Sequence, residues 1–177
     1  DANRNTYLGA RTGYSNREGQ DNVGIGAFAD FSLNGSTGGS QHWEQTTFVG
    51  ADADVNHDYV SMLGFSTRAD AQYATVVGWN GDARGTRSTG LGASVVIGAG
   101  SDDAVAIGEA ATIGSNADQS IAIGPDATIA ENATNSIALG NGASVAASNE
   151  AYVGNAATTS IGGIVNWTAT SDARLKT

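Results

Sequence analysis

The chain carries a glycine that recurs at short intervals over most of its length, and each of these glycines follows a Leu, Ile or Val. Counted along the chain, the intervals between successive members are 17, 24, 14, 14, 14, 16, 16, 16 and 14. A recurring internal period of this kind indicates a solenoid, in which each repeat forms one coil that stacks on the next. The ten repeat glycines are Gly9, Gly26, Gly50, Gly64, Gly78, Gly92, Gly108, Gly124, Gly140 and Gly154.

Other residue types recur at constant distances from the repeat glycine. A small residue usually follows three positions later, as Ala127 does, and an apolar residue often follows five positions later, as Val55 and Ile129 do. Apolar residues also stand three positions before several of the glycines, as at Ile137. Alternation with a period of two indicates strands with one buried face. Each repeat is therefore predicted to contain two short strands, with a bend just after the glycine.

The composition fits a narrow β architecture that needs support from other chains. Among the 177 residues there are 25 Gly, 1 Pro and no Cys, so disulfides and thiolate metal sites are excluded. A coil as short as one repeat encloses so little apolar volume that one rod cannot offset the entropy of ordering its backbone. We therefore predict a parallel homotrimer. Either the apolar residues three before the glycine or those five after it could face the two companion chains, and the sequence leaves this choice open.

The segments SIAIGPDATIAENAT (120–134) and SIALGNGASVAASNE (136–150) resemble the head repeats of YadA-like trimeric adhesins. The resemblance covers the chain from about Thr6 to Asn155 and implies a left-handed parallel β-roll with a period of about 14 per coil that assembles as a trimer. The predicted fold class is accordingly all-β, a left-handed parallel β-roll or β-solenoid of about ten coils, whose usual repeat length is 14–16. We assign residues 1–160 to this repeat domain, with a loop insertion at about 34–45.

The last part of the chain resembles a different family. Residues 152–177 are similar to the junction that precedes the intramolecular chaperone of bacteriophage tail fibres and tailspikes. The matching residues are Tyr152, Gly154, Asn155, Trp167, Ser171, Asp172, Arg174 and Lys176. The resemblance implies that 161–177 is this junction, and that Ser171 and Lys176 form the catalytic pair of a self-cleavage reaction supported by Asp172 and Arg174. We expect cleavage only together with the chaperone, and no other enzymatic activity.

One short acidic segment matches the first half of the sequence pattern of a calcium-binding loop. Asp52, Asp54, Asn56 and Asp58 match its first ligands, but His57 stands where the sharp turn needs Gly, and Leu63 stands where the last ligand needs Glu. Alternation also explains the run, because Ala53 and Val55 between the acids occupy predicted inward positions. These four residues are a weak metal candidate, and we predict no metal and no cofactor.

Several aromatic and basic residues are candidates for receptor binding. His42 and Trp43 lie in the Gly/Ser-rich insertion, where an aromatic ring could stack on a sugar, or could instead pack on a neighbouring chain or cap the first coils. Trp79, Arg68 and Arg84 lie in the middle coils, where they could bind an anionic glycan or simply form a solvated face.

These observations favour a structural and host-attachment protein, part of a trimeric phage tail fibre in the virion. Its partners would be two identical chains, a bacterial surface glycan or outer-membrane receptor, and its own chaperone before cleavage. The net charge of -10 argues against nucleic acid as a ligand. The first alternative is the head of a bacterial trimeric autotransporter adhesin at the cell surface. The second is a capsule-degrading tailspike, although the abundant acids single out no catalytic pair.

Overall fold

The computed structural model describes residues 4–31 and 43–161. Its regular secondary structure there consists of eighteen short strands, which form two sheets in which every pair of neighbouring strands is parallel. No helix with the length and apolar character of a membrane span occurs in this part of the chain. The predicted all-β parallel β-solenoid is confirmed.

The larger sheet has ten short strands, and consecutive members belong to consecutive coils. It is made of β1 (Thr6–Leu8), β2 (Val23–Ile25), β4 (Thr47–Val49), β6 (Ser61–Leu63), β8 (Thr75–Val77), β10 (Thr89–Leu91), β12 (Val105–Ile107), β14 (Ile121–Ile123), β16 (Ile137–Leu139) and β18 (Ala151–Val153).

The smaller sheet has eight still shorter strands in the same coil order. It is made of β3 (Asp30–Phe31), β5 (Asp54–Val55), β7 (Arg68–Ala69), β9 (Asp82–Ala83), β11 (Val96–Ile97), β13 (Thr112–Ile113), β15 (Thr128–Ile129) and β17 (Ser144–Val145). From β2 to β17, each coil therefore contributes one strand to each sheet, as the alternation predicted.

The repeat glycines set the register of the larger sheet. The residues just before successive glycines pair directly, for example Leu91 with Ile107 and Ile107 with Ile123. The coils thus stack with one strand above the next in the shortest and the longest repeats alike, because the strand pairing is the same whatever the interval between the glycines. About ten coils were predicted; the ten strands of the larger sheet delimit nine complete turns.

Both bends of a coil use backbone conformations with positive φ. At the first bend the repeat glycine itself has positive φ, and a carbon atom on Gly108 would collide with the carbonyl of Gly124 in the next coil. The second residue after the glycine is left-handed as well, as at Ser66 with φ 55°. At the second bend, the fifth residue before the glycine has the same conformation, as at Gln119 with φ 57°. Such conformations favour Gly, Asn and Asp, which are abundant here.

From β2 to β17 the interior is filled mainly from four positions of each coil: the residue before the larger-sheet strand, the middle residue of that strand, and the residues three and five after the glycine. Ile97, Ile113 and Ile129, at the last of these positions, are completely buried. In the first coils this space holds an aromatic cluster, in which the ring of Phe31 stacks on Trp43 at 4.9 Å and meets Phe48 edge-on at 5.0 Å. In the later coils Ala, Ile and Val fill it.

The structure decides which apolar residues could face a companion chain. The residues five after the glycine are interior from Phe31 to Val145 and are unavailable for assembly, with Tyr14 in the first coil as the exposed exception. The residues one and three before the glycine point outward, because they flank the inward middle residue of a short strand. Of the two candidate stripes, only the one before the glycine is at the surface.

Candidate binding and assembly surfaces

The outer face of the larger sheet carries what we call the apolar stripe, the residues one and three positions before each repeat glycine. Every residue at the first position is Leu, Ile or Val, and in later coils the second position is apolar too, so that Ile121 and Ile123 stand side by side. Ile137 and Leu139 are about two-fifths exposed in the single chain, at 40% and 41%. The stripe is thus a continuous apolar band along the rod.

The outer face of the smaller sheet has the opposite character. Its outward residues begin as Asp30, Asp54, Arg68 and Asp82 in successive coils, and continue as Val96, Thr112, Thr128 and Ser144. Parallel pairing places these residues above one another, so their charges lie within one strand spacing of about 4.8 Å. A polar face on one sheet and an apolar face on the other give the rod two distinct surfaces.

Charged residues in and just after three strands of the smaller sheet form an Asp–Arg ladder, made of Asp54, Arg68, Asp70, Asp82 and Arg84. Arg68 lies between two carboxylates, with Nη2 at 2.9 Å from Asp70 and Nε at 3.7 Å from Asp54. Arg84 donates to both carboxylate oxygens of Asp82 at 2.5–3.1 Å. That hydrogen bond and the nearby carboxylate charge raise the pKa of Arg84. The ladder contains three acids and two bases, which disfavours a strongly anionic ligand.

The structure therefore brings together two predicted receptor-binding residues, Arg68 and Arg84. Both of their guanidinium groups are already paired with aspartate carboxylates. Beside them runs a groove of about 330 Å³ lined by Asp52, Asp54, Ser66, Thr67, Arg68, Asn80, Gly81 and Asp82. Its walls are mostly polar. Hydroxyl-bearing ligands suit such a surface better than apolar ones.

Trp79 lies at the first bend of the same coil, and its side chain is 55% exposed. Asn80, the next residue, lines the groove, and its backbone N–H donates to the carbonyl oxygen of Phe65 in the preceding coil. An exposed aromatic ring beside a polar groove can stack on a sugar. Among the described aromatic residues predicted for receptor binding, Trp79 is exposed to solvent and Trp43 is not.

Trp43 has a different role from the one that its loop position predicted. It is only 7% exposed and stacks on Phe31 inside the first coils, so its ring offers no face to a ligand. Burial of this large apolar surface is favourable and accounts for the interior position of the ring. The prediction of Trp43 as a receptor-binding residue is thereby corrected in favour of the alternative in which it fills the first coils. His42 lies outside the described residues.

The acidic run at residues 52–58 does not converge on one point. Asp54 faces Arg68, Asn56 donates to the carboxylate of Asp70, and Asp58 accepts the backbone N–H of Glu44 at 3.0 Å. No group of three or more His, Cys, Asp or Glu side chains within residues 4–31 and 43–161 is arranged to hold a metal ion. The weak metal candidate is not supported, because alternation and neighbouring coils direct these side chains to separate partners.

A column of side chains at the second bend was not predicted. The fifth residue before each glycine projects outward in every coil, and coil stacking pairs neighbours of matching chemistry. Arg87 Nε donates to Asp103 at 2.6 Å, and the amide of Asn135 donates to Asn149 at 2.9 Å. The bond to Arg87 lowers the pKa of Asp103. Aligning the sequence on its glycines would have revealed these pairs.

The predicted self-cleavage residues Ser171, Asp172, Arg174 and Lys176 all lie outside the described residues. Their assignment stays a prediction based on sequence resemblance.

No protein-family model and no curated protein matches this sequence. Among solved structures, the chain is similar to the collagen-binding domain of the Yersinia adhesin YadA, with a TM-score of 0.53 and 18% sequence identity. The match covers 87% of this chain and 72% of that one. At this level of identity the likeness concerns the fold, a YadA-like β-roll. It agrees with the fold that the repeats predicted.

Proposed function

We propose that this chain is a structural and attachment protein, one of three parallel copies in the fibre of a bacteriophage tail. The observation that carries the proposal is the apolar stripe, which a single chain leaves in contact with water along the whole rod. Soluble monomers rarely expose a contiguous apolar surface of this extent. Three copies around a common axis would bury their stripes against one another, while the polar faces of the smaller sheets stay outside.

The stacked coils suit a mechanical role. Backbone hydrogen bonds link each coil to the next along both sheets, so bending the rod strains many bonds together. A threefold rod presents three copies of any surface site. Weak contacts at such sites then act together through multivalency. The resemblance of residues 152–177 to the fibre–chaperone junction supports the phage context, with the chaperone as a transient partner and no enzymatic activity beyond its own removal.

Assembly is tested by sedimentation of the full chain at micromolar concentration. We expect the mass of a trimer for the wild type and loss of the trimer in Leu139→Lys, which places a charge in the apolar stripe. Ser144→Lys is the matched control, because it adds the same charge in the same coil on the polar face. A well-folded monomer in the wild type, or a trimer that survives Leu139→Lys as well as Ser144→Lys, contradicts the proposal.

Attachment is tested on arrays of bacterial surface glycans and on host cells. Trp79→Ala is expected to reduce binding if the bend beside the groove contacts the receptor, and Arg84→Ala is expected to reduce it less, because Asp82 already engages Arg84. Thr128→Ala on the uncharged end of the same sheet is the control. Equal binding by Trp79→Ala and wild type would show that the receptor does not bind at the groove beside Trp79. The predicted chaperone junction is tested by mass spectrometry of the full gene product, since Ser171→Ala should abolish cleavage there.

A bacterial trimeric adhesin is the second candidate, favoured by the fold of the similar collagen-binding domain. It predicts location at the bacterial cell surface and binding to a host matrix protein. Collagen immobilised on a sensor surface is the direct test. Binding to collagen together with no binding to any bacterial surface would favour the adhesin over the fibre.

A further inference from the structure

Two exposed aromatic residues stand one coil apart at the first bend. Phe65 and Trp79 each follow a repeat glycine directly, and their side chains are 49% and 55% exposed. They are neighbours in the stack, because the backbone N–H of Asn80, next to Trp79, donates to the carbonyl oxygen of Phe65 at 2.9 Å. The coils before and after this pair have Ala51 and Ala93 at the same position. The aromatic surface is thus confined to two coils.

Both aromatic residues adjoin the groove beside the Asp–Arg ladder. Ser66 follows Phe65 and Asn80 follows Trp79, and both of these polar residues line the groove of about 330 Å³. Each ring is therefore attached one residue away from the lining, a Cα separation of about 3.8 Å. Because the coils stack in register, the groove has an aromatic column on one side and the charged residues of the smaller sheet on the other.

The groove offers hydrogen-bond donors and acceptors close together. The guanidinium of Arg68 and the side-chain amide of Asn80 supply donors, and the carboxylates of Asp52, Asp54 and Asp82 supply acceptors. A sugar hydroxyl both donates and accepts hydrogen bonds, so it can use both kinds of partner. The mixed lining therefore matches a ligand that carries several hydroxyl groups.

The charges of the lining disfavour a ligand that is itself charged. Three aspartate carboxylates and one guanidinium line the groove, and the nearby guanidinium of Arg84 is already bonded to Asp82. An anionic sugar meets an excess of like charge, which opposes binding. An ammonium group has only donors, so it leaves the N–H groups of Arg68 and Asn80 without acceptors. An uncharged sugar avoids both penalties.

From these observations we infer that the groove between the Phe65–Trp79 pair and the Asp–Arg ladder binds an uncharged oligosaccharide. The inference rests on the proposed attachment role and names the ligand class of that surface. Phe65 and Trp79 stack on the apolar faces of two neighbouring sugar units, while Asp54, Arg68 and Asn80 bond to hydroxyl groups. The ion pairs of the ladder hold the polar groups in place beforehand, which lowers the entropy cost of binding.

Titration calorimetry on the full chain tests this inference with three sets of soluble probes. The sets are uncharged oligosaccharides of glucose, galactose and mannose, oligosaccharides of uronic acids, and oligosaccharides of glucosamine. We expect binding within the uncharged set, with an affinity that changes little between low and high salt. Phe65→Ala and Trp79→Ala should each weaken this binding by about three- to tenfold. Tyr14→Ala is the matched control and should leave it unchanged, because Tyr14 is an exposed aromatic residue in the first coil.

Three outcomes overturn the inference: no uncharged probe binds, a charged set binds more tightly than the uncharged set, or Phe65→Ala and Trp79→Ala bind as tightly as Tyr14→Ala. Attachment of the wild-type protein to host cells is measured separately. Attachment that persists while the groove fails these tests contradicts the inference alone. A protein that binds the uncharged sugars but attaches to no bacterial surface contradicts the proposed function, so the two failures are distinguishable.

Discussion

The rings of Tyr59 and Tyr73 are stacked nearly parallel, with their centroids 4.9 Å apart and their planes inclined by 7°. The two residues occupy the same place in successive coils, the left-handed position that lies five before the repeat glycine. Their separation matches the spacing of hydrogen-bonded strands, about 4.8 Å. A regular coil therefore aligns side chains in columns, and equal residues in a column meet face to face.

Loss of this stack should weaken the middle of the rod. Tyr73→Ala is expected to lower the free energy of unfolding by about 0.5–1.5 kcal/mol, the contribution of an aromatic pair. Urea denaturation followed by circular dichroism measures it. Tyr14→Ala is the control, because Tyr14 is largely exposed and has no ring partner among the described residues. Equal destabilisation by the two changes would show that the stack contributes nothing.

The repeat glycine should tolerate no side chain in an inner coil. Gly64 has φ of +147°, and a carbon atom added there would overlap the carbonyl of Gly78. Gly64→Ala is therefore expected to cost about 3 kcal/mol or more, since backbone strain and a steric clash with main chain combine. Gly81→Ala is the comparison, because the equivalent position is Ala in several other coils and the added carbon would meet only a side chain, that of Val76. Thermal unfolding midpoints of the two variants should differ clearly, and coinciding midpoints would contradict this account of the bend.

The two faces of one sheet should respond differently to truncation. Ile129 is completely buried, so Ile129→Ala should lower the free energy of unfolding by about 2–5 kcal/mol through lost contacts and a cavity. Val96 points outward from a strand of the same sheet, and Val96→Ala should change it by less than about 1 kcal/mol. Urea unfolding curves give both values. If Val96→Ala lowers the free energy of unfolding more than Ile129→Ala does, the residues five after the glycine do not face inward.

The pKa of the Asp103 carboxyl should depend on Arg87. The hydrogen bond from Arg87 holds the pKa of Asp103 below its usual range. Because the folded pKa is depressed, the pair stabilises the fold above the ordinary pKa of Asp, about 3.9, and this contribution is lost as the pH falls through the lower folded value. In an NMR titration, Arg87→Gln should raise the midpoint of Asp103, whereas Arg84→Gln should not, since Arg84 engages Asp82. If the titration midpoint of Asp103 is the same in wild type and in Arg87→Gln, the predicted interaction between the two side chains is wrong.

Much of the apolar stripe could be predicted from single positions of the repeat, whereas the environment of the candidate binding residues could not. The Leu, Ile or Val before each glycine marked a strand, and it is one of the two columns of the apolar stripe. For Trp43 the sequence left open whether the ring binds a sugar, packs on a neighbouring chain or caps the first coils, because its Gly/Ser-rich neighbours give no sign that the ring lies in the interior beside Phe31. Arg68 and Arg84 were predicted either to bind an anionic glycan or to form a solvated face. Their pairing with aspartates was missed because the partners lie in a neighbouring coil or two positions away on the same coil.

The period, the bend after each glycine and the two strands per coil could all be predicted from the sequence, because they follow from local backbone conformation and from alternation along the chain. Which set of apolar residues faces inward became clear only from the packing of the coils. Alternation places Ile137 and Leu139 on the same face of their strand, but it does not say whether that face lies inside or outside the coil. The decision depends on volume: a coil this narrow has room for Ala138 and Val145, and the larger side chains of β16 are left on the outside.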